Sequence, residues 1–186
     1  QQSTAVSARN DRHGALIFLD LDNFKAINDT QGHAVGDRLL IEAAHRLQLC
    51  MREGDTVARL GGDEFVVVLE DLSSGADYAA TQAEQVAEKI QRELGQAYVL
   101  GSFECISTAS IGISLFLGHR ESLDNLLKHA DTAMYQAKTA GRNTIRFYDP
   151  AMQAALEARI ELEGELRQAL NKQQLRLYYQ VQVDHL

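Results

Sequence analysis

A glycine pair set between two strand-like segments constrains this chain more than any other feature. Thr56-Val57-Ala58-Arg59 and Phe65-Val66-Val67-Val68-Leu69 flank Gly61-Gly62-Asp63-Glu64, and the β-branched content of the second arm favours a strand. Glycine tolerates positive φ, so the pair turns the chain tightly and leaves Asp63 and Glu64 at the tip of a hairpin, within reach of solvent and ligand. Upstream, the apolar run Ala15-Leu16-Ile17-Phe18-Leu19 is typical of a buried central strand, and it ends at Asp20. Carboxylates at two neighbouring strand ends make a place for a hard divalent cation. Mg²⁺ suits such sites, keeps some waters and shares its other positions with substrate phosphates, which points to nucleotide chemistry. Taken alone, the same acids are also what a solvated turn carries.

The length of 186 residues allows one ordinary domain plus a modest extension, and 45% apolar content is normal for a globular core. No apolar run approaches the roughly 20 residues of a membrane helix, and no basic-then-apolar leader opens the chain. Cys50 and Cys105 fall in a helical and a strand pattern, so buried free thiols and a reducing cytoplasm are expected. A formal charge of −8 argues against a nucleic-acid polymer as partner, because such backbones are held by clustered Lys and Arg. A small anionic ligand remains compatible where metal ions and a few cations offset the local charge.

The first dozen residues read as a frayed helix end. Val35, Leu39, Ala43 and Leu47 recur at helical spacing and predict a helix to about Met51, with residues 28–37 as the loop and helix start before it. Residues 76–94 form an Ala-, Glu- and Gln-rich helix. Gly101-Ser102 is a two-residue turn between short strands, and 108–116 continues as an apolar strand. Leu123, Leu127, Ala130, Met134 and Ala137 mark a further amphipathic helix stopped at Gly141, before a short strand over 144–147. After Pro150 the pattern changes to apolar residues four apart, Met152, Leu156 and Ile160 and then Leu162, Leu166 and Leu170, among many Glu, the look of a connector, and Leu175 to Val181 reads as a strand opening a second domain.

Four separated motifs resemble the GGDEF family of bacterial diguanylate cyclases. They are Phe18-Leu19-Asp20-Leu21-Asp22-Asn23-Phe24-Lys25-Ala26-Ile27-Asn28-Asp29, Gly32-His33-Ala34-Val35-Gly36-Asp37, Arg59-Leu60-Gly61-Gly62-Asp63-Glu64-Phe65, and the run from Ala130 to Lys138 followed by Gly141-Arg142-Asn143. The tail Leu177 to Asp184 is similar to the first strand of an EAL phosphodiesterase domain, with Val181 in place of a common proline. The resemblance implies an α/β (α+β) palm-like fold, a central mostly antiparallel sheet wrapped by helices. It implies a GGDEF domain over 1–148, a connector helix over 149–173 and the start of an EAL domain over 174–186. It also implies that the helix with the family's Asp-x-Leu-Thr-x-Leu-x-Asn-Arg sequence is missing.

The resemblance further implies residue roles. Asp20 and Asp63 bridge two Mg²⁺ or Mn²⁺ ions per active site, the Leu21 carbonyl is another ligand, and Asp63 is a candidate general base. Glu64 is a further ligand or a support, since neighbouring strand residues point to opposite faces. Asn28 and Asp37 clamp guanine, whose N1-H and N2 amine a carboxylate can accept and adenine cannot offer; as local structure they would be a turn residue and a helix cap. Lys25, Lys138 and Arg142 meet phosphate, with Phe24 and Lys25 presenting backbone N–H groups. His33 either lines the nucleotide pocket or packs in the loop, and Asp22, Asp29 and Asp131 are structural or supporting. Arg52-Glu53-Gly54-Asp55 fits the family's RxxD site for inhibition by product. The expected activity is condensation of two GTP into cyclic di-GMP by a homodimer. The alternative is a GTP-binding module that controls an attached C-terminal EAL phosphodiesterase.

Overall fold

A computed structural model of the chain describes Ser7, residues 11–118 and 120–150, and the separate positions Leu162, Glu165, Leu166, Gln168, Ala169, Lys172 and Gln174. The apolar run read as a central strand is the middle of a five-stranded sheet in the order β2-β3-β1-β6-β7. β1 (His13–Leu21) pairs antiparallel with β3 (Glu64–Leu69) on one side and β6 (Ala109–Leu117) on the other. β2 (Thr56–Gly61) closes one edge as the hairpin partner of β3, and β7 (Ile145–Phe147) lies parallel to β6 at the other. β4 (Tyr98–Leu100) and β5 (Phe103–Cys105) form a separate hairpin around Gly101-Ser102. The sheet is therefore mixed and mostly antiparallel, as expected.

Alternation along β1 decides what each face meets. Ala15, Ile17, Leu19 and Leu21 join Leu39, Ala43 and Leu47 of α2 (His33–Cys50) and Ala83, Ala87 and Ile90 of α3 (Ala76–Leu94) in the larger core. Leu16 and Phe18 face the other way, onto Leu126, Ala130 and Met134 of α4 (Leu123–Thr139). Asp20 continues this second series and so emerges on the α4 side. Gly112 on β6 fixes how near α4 lies: a Cβ there would stand 2.0 Å from the Ala130 carbonyl oxygen and 2.2 Å from the Met134 nitrogen. Only a hydrogen fits between strand and helix backbones at that point.

The expected loop over 28–37 is corrected. Phe24–Gln31 forms a helix, α1, and Gly32 at φ 84° is the single joint between it and α2, which begins at His33. Phe24 is its one buried residue, too short an apolar stripe for periodicity to reveal. Cys50 is buried as expected, whereas Cys105 is half-buried; both are free, and burial raises both thiol pKa values. Most of the connector over 149–173 and of the strand after it lies outside the described residues, although Leu162, Glu165, Leu166, Gln168 and Ala169 are helical. Among the described residues no helix is long and apolar enough to cross a membrane.

Candidate active site

The end of β1 and the hairpin tip meet directly. Asp20 faces Glu64 across the β1–β3 ladder, and the Leu21 N–H donates to the Asp63 carbonyl at 3.3 Å. Asp63 sits in the turn, where Gly62 takes φ 53°. The guanidinium of Arg59 donates twice to the Gly62 carbonyl, at 2.9 and 2.8 Å, and braces that turn. Asp20 is only 6% exposed. Burial pushes its carboxyl up to about 6; the Lys138 hydrogen bond and charge oppose this, while the Asp63 and Glu64 charges add to it. Lys138 Nζ stands 2.6 Å from Asp20 Oδ2, so a cation already answers the buried acid.

A cavity of about 400 Å³ opens at this point, lined by Asp20, Leu21, Asp22, Asp29, Asp63, Lys138, Arg142 and the start of α1 from Asn23 to Ala26. No side chain caps the first turn of α1, so amides without helical partners front the cavity in the way that favours phosphate. The expected residues Asp20, Leu21, Phe24, Lys25, Asp63, Lys138 and Arg142 are thus brought together. Glu64 is half-buried beside Asp20 without lining the cavity. Among the described residues no cluster of three or more His, Cys, Asp or Glu side chains forms a cage of metal ligands. Asp20, Asp63 and the Leu21 carbonyl are oxygen donors that could hold a hard divalent cation only together with water and phosphate.

Asn28, His33 and Asp37 lie outside that cavity. Gly36 lets α1 and α2 approach, since a Cβ there would stand 1.8 Å from Asn28 Oδ1. That oxygen is buried and accepts no hydrogen bond. Asp37, the next residue, is exposed and lines a groove of about 450 Å³ with Leu40, Ala44, Val57, Arg59 and Phe65. His33 is exposed at the first position of α2.

Arg52 and Asp55 pair with each other. Arg52 Nε is 3.3 Å from Asp55 Oδ1, the Arg52 N–H donates to Asp55 Oδ2 at 3.2 Å, and the guanidinium also donates to the Glu70 carbonyl. The Arg52 side chain is 54% exposed and that of Asp55 3%. Sequence reading missed the brace from Arg59 and gave Asp22 no definite task. Asp22 is buried and accepts from the hydroxyls of Thr108 and Ser110 and the N–H of Asn143; the hydroxyl-rich run Ser107-Thr108-Ala109-Ser110 was the available signal.

The family description "Diguanylate cyclase, GGDEF domain" matches residues 1–144. The chain is 44% identical over 183 residues to the bifunctional diguanylate cyclase/cyclic di-GMP phosphodiesterase MucR of Pseudomonas aeruginosa, covering 98% of the chain and 26% of that protein. It is 38% identical over 166 residues to the cyclic di-GMP phosphodiesterase NbdA of the same organism, covering 89% and 20%. It therefore spans only a fraction of either relative. A solved structure comprising only the GGDEF domain of TpbB (YfiN) from Pseudomonas aeruginosa is 36% identical, with a TM-score of 0.76 and coverage of 84% and 88%. Sheet order, acidic hairpin and these likenesses agree, and the chain belongs to the GGDEF family of diguanylate cyclase domains.

Proposed function

We propose that the domain binds GTP with divalent cations and that two copies condense two GTP into cyclic di-GMP and pyrophosphate. The observation that carries this reading is the buried Asp20 beside Asp63, at the mouth of a cavity that also presents Lys138, Arg142 and the free amides of α1. Asp20, Asp63 and the Leu21 carbonyl would hold Mg²⁺ or Mn²⁺. Bound there, the cation lowers the pKa of the attacking 3′-hydroxyl and neutralises charge at the α-phosphate.

The protein's own groups supply the rest. Lys25, Lys138, Arg142 and the α1 amides bind and orient the triphosphate, with charge-assisted hydrogen bonds to its oxygens. Asp63 receives the 3′-hydroxyl proton. The 3′-oxygen of one nucleotide bonds to the α-phosphorus of the other while the bond to the β-phosphate breaks and pyrophosphate leaves; the second, symmetrical step closes the ring. One domain holds one GTP, so the domains must face each other as a homodimer to bring the reacting atoms together. Asn28 donates and accepts at the guanine edge, and Asp37 accepts from its N–H groups, excluding adenine. At the other end of β2, the exposed Arg52 fork would take a guanine edge or phosphate of the product, and this requires its pairing with Asp55 to loosen.

Incubating the full-length parent with Mg²⁺ and GTP should yield cyclic di-GMP; no product from a dimeric wild type would defeat the proposal. A second reading, a GTP-binding module governing an attached EAL domain, is favoured by the likeness to NbdA, which is named as a phosphodiesterase. Hydrolysis of cyclic di-GMP by the parent that rises with GTP, without any synthesis, would select it.

A further inference from the structure

We propose that Asp22 is a positioning residue for phosphate: its buried carboxylate fixes the turn after α4 and thereby sets Arg142 against the acidic cavity. This rests on reading that cavity as the triphosphate site. Asp22 is 3% exposed and accepts from Thr108 Oγ1 at 2.6 Å, Ser110 Oγ at 2.7 Å and the Asn143 N–H at 3.1 Å. Its main chain is held too, the N–H donating to the Thr108 carbonyl at 2.8 Å and the carbonyl accepting from Ser107 Oγ at 3.3 Å. Asp22 borders the cavity, but both of its carboxylate oxygens are taken up by donors inside the protein, so its influence on a ligand runs through what it holds.

What it holds is an uncommon piece of backbone. Arg142 and Asn143 take φ values of 65° and 44° in succession, straight after Gly141 at 115°. Side chains other than glycine rarely adopt the left-handed region, and they stay there when surrounding contacts over-determine the conformation. Here Asn143 is gripped on both sides, its N–H by Asp22 and its carbonyl by Gln91 Nε2 at 2.6 Å. The Arg142 N–H donates to the Ala137 carbonyl at 3.1 Å, which ties the turn to the end of α4. Lys138 leaves from that same end, so these restraints bring both cations to one cavity. Without the grip, the turn can relax toward ordinary φ and carry the guanidinium away.

The test is calorimetric titration with Mg²⁺·GTP of wild type, Asp22→Ala, Asp22→Asn and Gln91→Ala, each also combined with Arg142→Ala. Asp22→Ala should weaken uptake about tenfold and Gln91→Ala roughly threefold, and both effects should shrink below about twofold in the Arg142→Ala background. Asp22→Asn should recover most of the affinity, since an amide oxygen still accepts from Asn143 while its NH₂ donates to a rotated Ser110 hydroxyl. If Asp22→Ala fails to fold, Gln91→Ala, on the helix surface, carries the cycle alone. Losses of equal size with and without Arg142 would overturn the inference, because damage to Asp20 or to the sheet end acts independently of Arg142. Wild type that takes up no Mg²⁺·GTP would instead overturn the proposed function and this inference with it.

Discussion

The cavity proposed for phosphate and the region of Asn28 and Asp37 proposed for the base are built differently. Around Asp20 and Asp63, the supports are central strands, a helix pressed on β6 through Gly112 and a buried carboxylate with three donors. Around Asn28 and Asp37, the supports are the two-turn α1, one glycine joint and a side chain filling the space over Gly36. The first region can move only if the core moves. The second can adjust by rotating one amide. On the proposed function, placement of the reacting atoms would fall to the rigid part and selection among purines to the adaptable one.

Removing the metal-side acid should have the largest effect. Asp63→Ala in the full-length parent is expected to cut cyclic di-GMP formation by roughly 10²–10³-fold, the scale of losing one transition-state charge stabiliser; product quantified by chromatography checks this. Next come the two glycines. Gly112→Ala drives a Cβ into helix backbone and should cost about 2–4 kcal/mol in denaturant unfolding. Gly36→Ala meets only a side chain and gains helix propensity, so its stability should stay within about 1 kcal/mol of wild type. Displacing Asn28, however, should lower the preference for GTP over ATP about tenfold, near 1.4 kcal/mol. Equal stability losses at both glycines would erase the contrast between the two regions.

A smaller effect concerns pH. Burial pushes the Asp20 carboxyl up to about 6 in the folded chain, against an ordinary 3.8. Between those values the folded state holds more protons than the unfolded one, so this group's contribution to stability declines as pH rises through the window and is gone above it. Asp20→Asn should therefore gain on wild type by a few degrees in melting temperature as pH climbs from 4 to 7 without divalent ions. Added Mg²⁺ should reverse the ranking at neutral pH. Smallest of all, Arg52→Ala takes an exposed guanidinium away from Asp55, whose side chain is only 3% exposed but keeps the main-chain N–H of position 52 as a donor, and should cost about 1 kcal/mol, while weakening inhibition by added cyclic di-GMP in a turnover assay.

Long apolar runs and strong periodicity made most of the fold readable from sequence. The central strand, the acidic hairpin, the Gly101-Ser102 turn and α3 and α4 all follow from local pattern. α1 did not, because two turns with a single buried residue leave no stripe to detect, and Gly32 looks like loop chemistry until its neighbours are seen to be helical. The acids and cations of the cavity were found by motif. What sequence could not show is how polar groups far apart are matched: Asp22 with Asn143 is a contact across 121 positions, and the Arg59 brace depends on the curl of the turn. Nor could spacing reveal that Arg52 and Asp55 satisfy each other.

The solitary amide oxygen of Asn28 has one more consequence. Water has been stripped from it in the course of folding, and nothing in the protein offers a hydrogen in return. A purine could use that oxygen only once the amide turns out from over Gly36, and one that then offers an N–H would satisfy it, whereas one that presents a lone pair would not. On the proposed reading, discrimination there would rest on a neutral amide and should persist at high salt, where attraction between exposed charges fades.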